Sequence, residues 1–112
     1  MELEITEHII RIVIMKPSGR VDAFNAPVLR ARADELFASG ATRFVLDLTG
    51  VPFLDSSGMA ALVSILKRAR QAGGDVKMVQ PREEAALRIL KLTKFDRVFE
   101  MAATPEQAIA SF

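Results

Sequence analysis

An acid, two hydroxyls and a glycine stand together at Asp55-Ser56-Ser57-Gly58, directly after an apolar run and directly before an amphipathic one. Such a group has three chemical uses. A carboxylate or hydroxyl in front of a helix can accept a hydrogen bond from a first-turn amide, as an N-cap. A serine can act as a nucleophile when a base stands beside it. A serine can also be the acceptor in chemistry performed by another protein, such as phosphorylation. Capping requires one of the three polar side chains, so Asp55 or Ser56 can serve as the cap and a hydroxyl is left over. Nucleophilic catalysis finds little support. The only histidine, His8, falls in a predicted turn, and the chain contains no G-x-S-x-G elbow. Glu83 and Glu84 are adjacent at a predicted helix start, where they point different ways and complement the helix dipole. Asp47 lies in an apolar strand without His or Cys companions, which favours a structural role over metal binding.

The elements that must position this group follow from periodicity. Leu3 and Ile5 alternate with Glu2, Glu4 and Thr6, and Ile10, Ile12 and Ile14 alternate with Arg11 and Val13. Period two predicts a pair of half-buried strands joined by a turn at Glu7-His8. From Ala26 the period becomes helical. Leu29, Ala33, Leu36 and Phe37 share a face, Asn25 is placed as N-cap, Pro27 falls in the first turn and Gly40 ends the helix. "RFVLDL" reads as a strand covered on both faces. A helix then runs from Ser56 to about Ala72, stopped by Gly73-Gly74, with Leu62, Ile65, Leu66 and Ala69 as its buried stripe and Met59 beside it. "VKMV" reads as a further core strand and 81–92 as a helix with Ala86, Leu87 and Leu90 inward. Thr104-Pro105-Glu106-Gln107 starts a short C-terminal helix. The expected architecture is a single α/β domain over residues 1–112, with a mixed sheet and about four helices packed mainly on one face.

On the helix that follows the motif, Ser56, Ala60, Val63 and Lys67 lie off the buried stripe, and Ser57, Ala61, Ser64 and Arg68 lie further round. An idle solvated face more often carries Glu, Lys and Gln. A small-residue face headed by a hydroxyl suits the close docking of a partner. Composition narrows the partner. The 112 residues carry a net charge of +1, with Lys and Arg scattered, so no basic field favours nucleic acid. No cysteine is present, which fits a reducing compartment. The N-terminal apolar run is broken by Arg11 and reads as neither a signal peptide nor a membrane span. A cytoplasmic domain is expected.

Three segments, "SGRVDAFNA", "FVLDLTGVPFLDSSG" and "LTKFDRVFEM", together with the helix after the motif, resemble the STAS domains of bacterial anti-sigma factor antagonists. The resemblance implies a single STAS-like domain that is a regulator and not an enzyme. It implies Ser56 as the phosphoacceptor of a serine kinase that doubles as an anti-sigma factor, and Asp22 as an acidic residue of the partner-binding surface. Asp55, Ser57 and Gly58 complete the phosphosite loop, and Ala60, Val63 and Ser64 extend the docking face. A PP2C-type phosphatase would reset the serine. No cofactor is implied for this chain, since ATP and Mg²⁺ belong to the kinase. Asp22 alone reads as a turn residue; on the docking surface it is expected to be an exposed loop acid whose loss weakens kinase binding and leaves stability nearly unchanged. Two positions depart from the family pattern: Pro17, where its strand usually continues, and Lys94, where a glycine often ends the third helix. STAS-like domains also serve as stressosome scaffolds, lipid-transport subunits or appendages of anion transporters. A nucleotide-binding role has no phosphate-cradling glycine loop to support it here.

Overall fold

The computed structural model describes residues 1–7 and 9–112. Four short strands, β1 (Val13–Met15), β2 (Arg43–Asp47), β3 (Asp75–Val79) and β4 (Glu100–Ala102), form one sheet in the order β1-β2-β3-β4. Every pairing among them is parallel. The chain therefore crosses over between successive strands. The crossovers carry α1 (Ala26–Ala38), α2 (Ser56–Gln71), and the pair α3 (Glu84–Leu92) and α4 (Phe95–Val98); α5 (Pro105–Ala110) follows the last strand.

The two faces of the sheet are covered unequally. Phe44 and Leu46 of β2 and Val76 and Met78 of β3 meet Leu62, Ile65, Leu66 and Ala69 of α2, Ala33 of α1 and Leu90 of α3 in the main core. Each such aliphatic side chain contributes roughly 1.5–3 kcal/mol when fully buried. The alternate residues Val45 and Val79 face the other way, onto Ala108 of α5 and Phe112. Both predicted core strands are thus apolar on both faces, as their unbroken runs required. The helices expected on one face are there, and α5 alone lies on the other.

The N-terminal hairpin is corrected. Residues 1–7 form no strand, with Leu3 and Ile5 each about three-quarters exposed at 77% and 75%. Alternation is only a local condition. A strand also needs a neighbour to satisfy its amides, and among the described residues none is paired with these. The expected turn involves His8, which lies outside the described residues. β1 begins at Val13 and pairs with β2, so Val13 and Met15 turn toward the main core and Ile14 is exposed. The sheet of the described residues is accordingly parallel, without the antiparallel arm that would have made it mixed. β1 stops at Met15, ahead of Pro17. α3 starts three residues later than Pro81, and β4 had no counterpart in the sequence reading.

Candidate functional site

The site is built where β2 feeds α2. The chain leaves β2 through Leu48, Val51 and Leu54, all buried, and Asp47 turns its carboxylate onto the amide and hydroxyl of Thr49 at 3.0 and 2.7 Å. Asp47 is thereby structural. No cluster of His, Cys, Asp or Glu among the described residues could hold a metal ion. Leu54 bridges to Val21, pinning the segment before α1 against the segment before α2. The Val21 amide donates to Phe53 O at 3.0 Å and the Asp55 amide to Val21 O at 3.2 Å.

Asp55 is the cap. Its backbone is extended, and Oδ1 accepts from the Gly58 amide at 2.8 Å. Oδ2 reaches across to the Ala23 amide at 3.0 Å. One carboxylate therefore satisfies the first turn of α2 and braces residues 22–25. The capping work needs neither serine. Ser56 is the first residue of α2 and is exposed, while Ser57 is half-buried. This settles which polar side chain caps the helix.

Gly58 faces inward. A Cβ there would fall 2.3 Å from the carbonyl oxygen of Val21, inside any permitted contact, so only glycine lets α2 lie this close to the bridge. Asp22 is half-buried, where an exposed turn acid was expected. Its Oδ1 accepts from the amides of Phe24 at 3.0 Å and Asn25 at 3.3 Å, and Arg20 lies 4.0 Å from Oδ2. Asn25 precedes α1 as expected but does not cap it with its side chain. Its Oδ1 instead accepts from the Asp22 amide at 2.8 Å, and its Nδ2 donates to Arg20 O at 2.6 Å. Asp22 and Asn25 thus lock one turn between them.

These braces open a shallow recess of about 410 Å³ between the first turns of α1 and α2, walled by Ala23, Ala26, Pro27, Ser56, Ser57 and Ala60, with Arg30 at its rim. Ala60 and Ser64 are exposed and Val63 is half-exposed along the outer side of α2. Ala61, placed by the wheel on the small outer face, is fully buried, because that side of α2 turns toward the main core rather than to solvent. Four residues of the site escaped the sequence reading. Ala23, Pro27 and Arg30 belong to the recess only because α1 packs beside α2, a tertiary pairing with no local signature. Phe24 projects from the turn 95% exposed; an aromatic between two turn-forming polar residues was the available signal.

A family model for the STAS domain matches residues 1–108. The chain belongs to the STAS domain family. Among STAS relatives, the Thermotoga maritima protein TM1081 is 30% identical, with 88% of this chain and 86% of that chain covered and a TM-score of 0.81. An anti-sigma factor antagonist structure from Mycobacterium paratuberculosis is 28% identical over 88% of this chain and 84% of that chain, with a TM-score of 0.77. The anti-sigma-B factor antagonist of Bacillus subtilis is 27% identical over 92 residues, 82% of this chain and 83% of that protein. Among the described residues, no helix of this STAS domain is long and apolar enough to cross a membrane.

Proposed function

We propose that this STAS domain is an anti-sigma factor antagonist whose binding to a serine kinase and anti-sigma factor is switched by phosphorylation of Ser56. One observation carries the reading: Ser56 heads α2 with an exposed side chain while Asp55 does the capping. Unmodified, the domain docks its kinase partner over the recess, Phe24 and the outer residues Ala60, Val63 and Ser64, with Asp22, Asp55, Ser57 and Gly58 holding the loops in shape. The sigma factor is then released. The names carried by the Bacillus subtilis and Mycobacterium relatives support this role.

Phosphorylation adds about −1.5 to −2 charges at Ser56. The amides at the start of a helix favour an anion, so the domain stays folded. The interface suffers, because the new anion stands beside Asp55 and must be desolvated against the partner. A loss of about 3–4 kcal/mol lowers affinity by a few hundredfold, enough for a switch. A PP2C-type phosphatase restores the serine. The domain contributes a hydroxyl and a surface, and performs no catalysis of its own; the setting is the cytoplasm.

Phosphoryl incorporation from ATP with the cognate kinase, measured alongside affinity, tests the reading. Ser56→Ala should bind the kinase and resist modification. Ser56→Asp should remain folded and bind more weakly. Ser57→Ala should be modified like the natural protein. Incorporation that survives Ser56→Ala and disappears in Ser57→Ala moves the acceptor by one residue. Modification of neither serine refutes the switch and leaves a scaffold or lipid-transport subunit in its place.

A further inference from the structure

The rim of the recess holds a cation that the docking surface does not account for. Arg30 borders both the recess beside Ser56 and the adjoining groove that contains Ser64 and Asp34. Long helix side chains lean toward the N-terminus, and in that direction Ala26, one turn before Arg30 and about 6 Å away along the axis, lines the same recess. That is the level at which α2 begins, because the Asp55 carboxylate ties the start of α2 to Ala23.

The neighbouring charges are already engaged. Arg32 pairs with Glu35 at 3.1 Å. Arg68 pairs with Asp34 and lies over the Phe37 ring at 4.5 Å. Asp55 is committed to two amides, and Asp22 to its own turn. Arg30 makes neither an ion pair nor a hydrogen bond among the described residues. Its guanidinium therefore meets no competing carboxylate at the recess. The walls it faces are the small side chains of Ala23, Ala26 and Ala60, which leave room for a group larger than a hydroxyl.

We propose that Arg30 is the internal counter-ion of the phosphoryl group on Ser56, drawing it into the recess between α1 and α2 so that the modified protein fills its own docking site. The inference rests on Ser56 being the phosphoacceptor. A planar guanidinium binds a phosphate by two parallel N–H donors, whereas a neutral serine hydroxyl offers it little. Arg30 is thus idle before modification and engaged after it. The off state then excludes the partner by occupancy as well as by charge, and the phosphate's charge is partly neutralised within the fold.

The test places phosphoserine at position 56 by genetically encoded incorporation, which needs no kinase, and follows the phosphorus-31 chemical shift against pH. Arg30 lines the recess with Ser56; the other charged groups on the elements about it are Asp34 on α1, Lys67 and Arg68 further along α2, and Asp22 and Asp55 in the two loops, so each variant is compared over the same pH range. With Arg30 present, the phosphate midpoint should lie about half a unit or more below that of Arg30→Gln, because a contacting cation favours the dianion. Arg30→Lys should retain part of that shift. Lys67→Gln, which removes a cation from further along α2, should move the midpoint much less. Coincident midpoints with and without Arg30→Gln overturn the proposal, as does a Lys67→Gln shift equal to that of Arg30→Gln. Failure of a kinase to modify Ser56 would instead refute the phosphoacceptor reading, and the two failures are read from different experiments.

Discussion

Asp55 and Asp22 divide the work of holding the recess open. Asp55 accepts one hydrogen bond within α2 and one across to the preceding loop, so Asp55→Ala removes a helix cap and a loop brace together. The expected cost is about 2 kcal/mol, toward the upper end for a cap. Asp22→Ala releases the amides of Phe24 and Asn25 and should cost about 1 kcal/mol, where a solvated loop acid would cost almost nothing. Because both carboxylates brace residues 22–25, the double variant should lose less than the sum of the two. Urea unfolding of the two single variants and the double variant measures all three quantities. An Asp22→Ala protein as stable as the natural chain would return Asp22 to the role of a surface acid.

At the scale of elements, the join between α3 and α4 carries the clearest local compromise. Lys94 adopts φ 62° and ψ 26°, the left-handed conformation that glycine occupies without penalty. The backbone demands it: the Lys94 amide donates to Lys91 O at 3.1 Å, closing α3, while its carbonyl accepts from Arg97 at 3.0 Å, opening α4. A lysine thus holds a turn that glycine would adopt without strain. A side chain in this conformation costs roughly 1–2 kcal/mol, partly offset by the greater freedom of glycine in the unfolded chain. Lys94→Gly should therefore raise stability by about 0.5–1 kcal/mol, seen as a higher melting temperature. A lower one would mean that the lysine side chain stabilises the turn by more than its strain.

At the scale of the whole molecule, one charge network lies across the sheet face opposite the main core. Lys77 of β3 is nearly buried, paired with Glu100 of β4, 3.6 Å from Asp75, and 5.1 Å from the centre of the Phe112 ring. Asp75 also receives Arg70 of α2 at 3.1 Å and the Val76 amide at 2.8 Å. Partial burial acts to raise the Asp75 pKa. The Val76 amide, the Arg70 hydrogen bond and the charges of Arg70 and Lys77 together outweigh it, holding the carboxyl below the ordinary 3.8. A depressed carboxylate stabilises the fold fully above its unfolded value and loses that contribution as pH falls through its folded value. Asp75→Asn should accordingly melt below the natural protein near neutral pH, and the gap should close as pH falls past the ordinary 3.8 and through the lower folded value. A gap unchanged down to acid pH would assign the residue's effect to packing, not charge.

The sequence by itself determined the parts of this protein whose cause is local. The apolar runs through Val45 and Val79 specified strands covered on both faces. The spacing of Leu62, Ile65, Leu66 and Ala69 specified α2. The Thr104-Pro105-Gln107 signal specified α5, where Thr104 Oγ1 accepts from the Gln107 amide at 3.2 Å and Gln107 Oε1 from the Ala103 amide at 3.1 Å. The motif itself was legible because an acid and two hydroxyls exceed what one helix start can use. Tertiary structure decided the rest. Alternation at Leu3 and Ile5 could not make a strand without a partner, and β4, three residues long, had a partner in β3 but no pattern. Asp55 caps α2 locally, but the second bond of its carboxylate, to the Ala23 amide thirty-two residues away in the chain, exists only in the folded molecule. Arg30 reached the recess only because α1 packs beside α2. A periodic pattern records what one element needs to bury. It does not record which distant element will meet it, and the recess exists only where two such elements meet.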